Sequence, residues 1–226
     1  MIYLEQNIKG ICERHGLDYV DFLDELDVDQ PNDLSMYDLE AIAEEYEVEL
    51  SALLFKHTFR SAELKKRLDK IKLLVLDVDG VMTDGGLYFT DEGDHIKKFN
   101  AKDGMAIAQL TKRGFQVGII SSGFSGTAVE KRAKLLGIQH CSVNKDSKLT
   151  RLHNICASLE IVPDQVAMIG DDINDLEIFE VCGFSASPSD AVQVVKDNVD
   201  LVLSKEGGKG AIREFVDEYL LEERLK

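Results

Sequence analysis

The chain has 226 residues, 44% of them hydrophobic, with 17 Gly and 3 Pro, enough for one full core and a small extra domain. No apolar run approaches the roughly 18 residues of a membrane span. The start, MIYLEQNIKG, lacks the basic head and apolar middle of a signal peptide, so a cytoplasmic protein with no membrane partner is expected. Of the formal net charge of −16, residues 1–55 carry −13, with 15 Asp and Glu against 2 Lys and Arg; a module so acidic repels phosphate backbones, and nucleic-acid binding is not expected of it.

Residues 1–55 carry helical periodicity throughout. Ile8, Ile11, Cys12 and His15 recur at helical spacing up to Gly16. Asp18 is a suitable N-cap for a second segment holding Val20, Phe22, Leu23 and Leu26. Pro31 and Asn32 mark a loop. Ser35 and Asp38 have capping-box spacing ahead of Leu39, Ile42, Ala43 and Tyr46, and a last short helix runs from Ser51 to Phe55. Residues 56–70 are charged and helical in pattern, and read as a linker helix. A second domain, residues 71–226, begins with the apolar run Leu73 to Leu76, a buried strand that ends in Asp77-Val78-Asp79-Gly80. Next comes a β-hairpin, with strand-like Leu87 to Phe89, a turn at Asp91 to Gly93 and a return over Ile96 to Phe99. Helices and strands then alternate. The expected strands are Phe115–Ile120, Gln139–Ser142, Val166–Ile169, Phe184–Ala186 and Val199–Leu203. The helices between and after them are Gly104–Lys112, Thr127–Leu136, Lys148–Leu159, Asp175–Val181, Ala191–Lys196 and Gly210–Leu221. The pattern predicts an α/β fold, a Rossmann-like parallel sheet with helices on both faces and a hairpin insertion, preceded by a small all-α domain.

The residues that follow the strands carry the chemistry. The first strand supplies Asp77 and Asp79, the second Ser121 and Ser122, the region after the third Lys148, and the fourth Asp171, Asp172 and Asp175. In open α/β sheets such strand-end groups converge on one edge. Carboxylates gathered there repel one another, and an all-oxygen ligand set favours Mg²⁺. The lysine and hydroxyl remain to hold an anion, which makes phosphoryl transfer the chemistry expected. Taken singly, Lys148 reads as a solvated lysine at a helix start and Ser121 as a turn residue. The four cysteines, Cys12, Cys141, Cys156 and Cys182, have no CxxC spacing and are expected to be reduced. The five histidines show no ligand spacing, and GGKG at Gly207–Gly210 is not a phosphate-binding P-loop but a flexible turn into the last helix.

These motifs, in this order from Ile71 to the C-terminus, resemble the haloacid dehalogenase superfamily of phosphatases. The resemblance implies Asp77 as nucleophile, forming an aspartyl-phosphate, and Asp79 as general acid, then general base. It implies Ser121 and Lys148 as the groups that hold the phosphoryl oxygens, and Asp77, Asp79 (through its main-chain carbonyl) and Asp171 as ligands of Mg²⁺, with Asp172 and Asp175 bonding the metal's waters or supporting its ligands. The gaps from Asp79 to Ser121 and from Lys148 to Asp171 have no room for a large cap domain. The strings GVMTDGGLYF, KKFNAKDGMAI and GGKGAIREF resemble the capless sugar-acid branch, whose substrates are 3-deoxy-D-manno-octulosonate 8-phosphate and the 9-phosphates of nonulosonates of the sialic acid type. That branch implies a sugar-phosphate substrate made for cell-surface polysaccharide, contacts from Asn100, Lys102 and Asp103, and a homotetramer built through the hairpin. The chain departs from the octulosonate enzymes in one place: Ser121 is followed by SGFSG rather than Gly-Arg, which removes the cation expected for the sugar carboxylate. Separately, DLEAIAEEYEVELSALLF resembles the closing helices of a repressor-type helix-turn-helix domain. The place of its recognition helix, Asp27 to Ser35, is short, acidic and interrupted by Pro31, so a protein-contact or dimerisation module, or equally a solvated helical decoration, is expected there. The 8-phosphate is the first substrate expected, a nonulosonate 9-phosphate or another small phosphate ester the alternative within enzymes, and a regulatory binding protein with a helix-turn-helix remnant the alternative of a different class.

Overall fold

The computed structural model describes residues 3–55, 62–91, 93–123 and 126–221. The chain divides into two compact units, Met1–Arg67 and Leu68–Lys226. The first is all helical: α1 (Leu4–His15), α2 (Tyr19–Glu25), α3 (Met36–Glu45) and α4 (Leu50–Phe55). Its core gathers Leu4, Ile8, Ile11, Leu39, Ile42 and Leu53, so the helical spacing in the sequence is the buried stripe. The start of α2 is capped by Asp18, whose side chain accepts from Val20 N and Asp21 N, and the capping box of Ser35 and Asp38 forms at α3. Val20 departs from expectation. It is 62% exposed, because the two turns of α2 lay only one stripe, centred on buried Leu23, against the core. Asn7 is a polar residue inside this core; its amide donates to Leu53 O at 2.8 Å and so satisfies a carbonyl near the end of α4. The linker segment is helical over α5 (Ala62–Asp69), and residues 56–61 lie outside the described residues.

The second unit is a six-stranded sheet of β1 (Leu73–Leu76), β4 (Gln116–Ser121), β5 (His140–Val143), β6 (Val166–Ile169), β7 (Phe184–Ser187) and β8 (Leu201–Val202), all parallel, in the order β5-β4-β1-β6-β7-β8. The hairpin strands β2 (Tyr88–Thr90) and β3 (Gly93–Ile96) form a separate two-stranded sheet. Between the strands run α6 (Ala101–Lys112), α7 (Gly126–Leu136), α8 (Lys148–Ser158), α9 (Leu176–Phe179) and α10 (Gln193–Lys196), and α11 (Ala211–Phe215) follows β8. Helices cover both faces. On one, Leu73 and Val75 of β1 pack with Leu152 and Ile155 of α8 and Ile178 of α9. On the other, Phe184 of β7 meets Phe215 of α11, ring centroids 5.9 Å apart. Burial on both sides is why β1 and β6 read as unbroken apolar runs.

The chain builds β1, β4 and β5 outward in one direction, then returns to place β6 on the other side of β1. The ends of β1 and β6 are therefore the topological switch point, where such sheets open a crevice for ligands. Several boundaries differ from expectation. The hairpin's return strand is Gly93–Ile96, not Ile96–Phe99: pairing starts at once, with Thr90 opposite Gly93 and Tyr88 opposite Ile96, so residues 97–100 are left to travel back toward the sheet. Helix α6 starts at Ala101 rather than Gly104, because the Asn100 side chain caps it by accepting from Lys102 N and Asp103 N. The expected helix at Asp175 begins as a 3₁₀ turn, Ile173–Asp175, before α9. Strand β8 shrinks to Leu201–Val202, and the last helix continues past α11 as a wider turn over Val216–Leu220.

Candidate active site

Asp77 stands directly after β1, and its N–H donates to Ile169 O at 3.1 Å, tying the end of β1 to that of β6. Its carboxylate is buried; Oδ1 accepts from Val78 N at 2.7 Å and Oδ2 from Lys148 Nζ at 2.7 Å. Lys148 opens α8 yet is only 4% exposed, so its reading as a solvated lysine fails. Its three protons go to Asp77 Oδ2, Asn174 Oδ1 at 3.1 Å and Asp175 Oδ1 at 2.6 Å, which saturates the ammonium. Burial alone would lower its pKa, but Asp77 and Asp175 outweigh that and hold it above its ordinary value.

Two glycines open the space for the acids. Gly80 has φ +82, and a Cβ on it would lie 1.9 Å from Asp171 Oδ2; a Cβ on Gly170 would lie 2.5 Å from the Asp175 carboxyl. Asp175 is fully buried, and its Oδ2 accepts from Asp171 N at 3.1 Å and Asp172 N at 3.4 Å. It thus fixes both the lysine and the turn that carries Asp171. Asp172 is exposed and caps the 3₁₀ turn, accepting from Ile173 N.

Asp77, Asp171 and Asp175 each bring a carboxylate oxygen within 4.8 Å of the others. Asp171 Oδ1 is buried without a hydrogen-bond partner among the described residues. Burial, then repulsion from Asp77, Asp175 and Asp172, pushes the Asp171 carboxyl up to about 8. Burial and Asp175 raise Asp77 to about 6, against the pull of Lys148. One ammonium does not neutralise three clustered acids, and no described donor satisfies the Asp171 oxygen. The donor set, all oxygen, fits a hard divalent ion. The side chain of Asp79 lies apart from this cluster. Its Oδ1 accepts from Lys97 Nζ at 2.6 Å.

Ser121 ends β4 and is buried, its Oγ accepting from Gly123 N at 3.3 Å. A Cβ on Gly123 would lie 3.5 Å from Ser121 Oγ and 3.6 Å from Asp79 Oδ2, so hydroxyl and carboxylate border the same space. Phe124 and Ser125, in the departing string, lie outside the described residues. Arg151, which the sequence did not single out, is buried; its Nη1 donates to Ser121 O at 2.8 Å and Ser142 O at 3.2 Å, clasping the ends of β4 and β5. Its one legible signal is its place one turn after Lys148 in an otherwise apolar helix face.

Asn100, besides capping α6, donates from Nδ2 to Gly208 O at 2.9 Å. Lys102 is exposed. Asp103 is buried, its oxygens accepting from Gly210 N at 3.2 Å and Arg213 N at 2.8 Å. The GGKG segment is therefore no flexible turn. Gly208 N donates to Val81 O at 2.9 Å, and a Cβ on Gly207 would lie 1.8 Å from Gly80 O, so the turn packs flush against the Asp77–Thr83 loop.

Comparison with known proteins agrees with this geometry. Residues 98–183 match the haloacid dehalogenase-like hydrolase family. Over 156 residues the chain is 38% identical to the 3-deoxy-D-manno-octulosonate 8-phosphate phosphatase KdsC of Yersinia pestis, covering 69% of this chain and 83% of that protein. The chain belongs to the KdsC-like branch of the haloacid dehalogenase-like hydrolases. This KdsC-like hydrolase is a phosphatase. Among solved relatives, the cobalt-bound deoxy-D-mannose-octulosonate 8-phosphate phosphatase of Haemophilus influenzae is 39% identical with a TM-score of 0.67, covering 71% of this chain and 92% of that one. The phosphatase of Moraxella catarrhalis, solved with magnesium ion, phosphate ion and a KDO molecule, is 34% identical with a TM-score of 0.66, covering 71% and 91%. No helix among the described residues is long and apolar enough to cross a membrane.

Proposed function

We propose that this phosphatase hydrolyses the phosphate ester of a sugar acid, 3-deoxy-D-manno-octulosonate 8-phosphate, through a phosphoaspartate on Asp77. The observation that carries the reading is the buried junction of Asp77, Lys148, Asp175 and the unpartnered Asp171 oxygen at the switch point. A carboxylate of Asp77 attacks phosphorus as the ester P–O bond breaks, and Asp79 gives its proton to the leaving alkoxide. Water then attacks the phosphorus of the acyl phosphate, Asp79 takes the water's proton, and the Asp77–phosphorus bond breaks to release inorganic phosphate. Lys148, pinned by Asp175 and Asn174, keeps a fixed positive charge beside the nucleophile. Ser121, its carbonyl clasped by Arg151, offers a hydroxyl to the phosphoryl oxygens. Asp77 and Asp171, with Asp175 behind them, would hold Mg²⁺, which when bound neutralises charge on the phosphoryl oxygens.

Asn100 and Asp103 hold the GGKG turn against the Asp77–Thr83 loop, which supports the start of α6 as the place of substrate contact, with exposed Lys102 there to meet a substrate carboxylate. The hairpin's Leu87, Tyr88 and Ile96 are each more than half exposed, which supports assembly into a homotetramer through this element. The missing Gly-Arg after Ser121 favours a second reading, a nonulosonate 9-phosphate as substrate. A phosphate-release screen over both sugar-acid esters with Mg²⁺ separates the two. Asp77→Asn is the control: it abolishes release, and a wild-type rate in that variant refutes the nucleophile.

A further inference from the structure

In the proposed reaction Asp79 must deliver a proton to the alkoxide and later collect one from water. A free carboxyl has two equivalent oxygens, and only one of them can face the reacting atoms. Here they are not equivalent. Oδ1 accepts from Lys97 Nζ at 2.6 Å, and the Lys97 side chain is 4% exposed although the residue sits just past β3 of the hairpin. Oδ2 borders the space beside Gly123 that the Ser121 hydroxyl also borders. An ammonium only donates, so an oxygen that accepts from it is not the one that carries the proton. A solvated lysine on a surface carboxylate would hold it loosely, whereas a stem buried to this degree is a fixed strut.

We propose that Lys97 is a positioning residue for Asp79. It engages Oδ1, so that Oδ2 alone passes its proton to the leaving alkoxide as the ester P–O bond breaks, and regains one from water as the Asp77–phosphorus bond breaks. The hairpin thereby sets the proton-transfer geometry of a site that lies outside it. The inference rests on the Asp79 role proposed above.

The test compares two leaving groups. An alkoxide needs Asp79's proton to depart; p-nitrophenolate does not. In Lys97→Met, kcat on 3-deoxy-D-manno-octulosonate 8-phosphate, or on any alkyl phosphate the enzyme turns over, falls about 10²-fold, the scale of positioned acid–base catalysis. KM stays within about threefold, and the pre-steady-state burst of p-nitrophenol from p-nitrophenyl phosphate does likewise. Lys97→Arg, which restores a cationic donor, recovers part of kcat. The proposal is overturned if KM rises while kcat holds, which makes Lys97 a substrate contact, or if kcat on both esters is unchanged. It is equally overturned if the burst falls as far as the alkyl rate, or is lost in both Lys97→Met and Lys97→Gln, which makes the lysine a structural prop. Asp77→Asn is run alongside: residual wild-type release there refutes the phosphoaspartate reading itself, whatever Lys97 does.

Discussion

At the scale of single residues, the site is an electrostatic problem: three clustered acids share one buried lysine. Lys148 joins two buried carboxylates, and removing one partner of a buried ion pair leaves the others uncompensated. Lys148→Met should cost about 3–5 kcal/mol at neutral pH in urea unfolding; a loss under about 1 kcal/mol would show that the carboxylates relax into water. The acids also set a pH dependence. Asp171 is pushed from 3.8 to about 8, and Asp77 to about 6, so between those values and 3.8 the folded chain binds more protons than the unfolded one. What these two carboxyls contribute to the stability of the metal-free protein is thus fully present below pH 3.8 and is lost as pH rises through about 6 and then about 8. Mg²⁺ should flatten this fall, measured as melting temperature against pH with and without the ion. A metal-free curve that rises over the same range refutes the crowding of acids. Gly80 completes this scale: Gly80→Ala puts a methyl into the Asp171 carboxylate at a positive φ, and should abolish phosphate release while the helical unit stays folded by circular dichroism.

At the scale of elements, polar side chains from the start of α6 hold the turn that leads into α11. Asn100 caps α6 and holds Gly208, and Asp103 holds the start of α11. Asn100→Ala should cost about 0.5–2 kcal/mol as a lost cap, read by thermal denaturation, and raise hydrogen exchange at Gly208 and Lys209 rather than in α1–α4. Exchange confined to α6 would mean that the Gly208 contact contributes nothing. The elements themselves were largely legible. The apolar runs of β1 and β6, the capping box at α3 and the alternation of strands with helices all follow from local chemistry. The hairpin's return strand starts three residues before the apolar pair Ile96 and Phe99 suggests, because pairing already begins at Thr90 and Gly93.

At the scale of the whole molecule, two units with separate cores and different charge share one chain. Residues 62–226, which keep all of α5, contain every residue proposed for the reaction and should release phosphate with the kcat of the full chain; a loss above about tenfold would make the acidic unit part of the catalytic assembly. The strand ends, the Asp77-x-Asp79 pair and the order of Ser121, Lys148 and Asp171 were readable from sequence alone, because residues close along the chain encode strands, turns and their switch point. What only tertiary structure decided are the pairings across distance. Lys148 meets Asp77 over 71 residues, Arg151 reaches Ser121 over 30, Lys97 reaches Asp79 over 18, and Asp175 faces the metal-competent cluster instead of solvent. No local propensity encodes these contacts. They arise because a parallel sheet wound outward from β1 and back to β6 brings separated strand ends into one buried crevice, where each charge is left with only its neighbours to satisfy it.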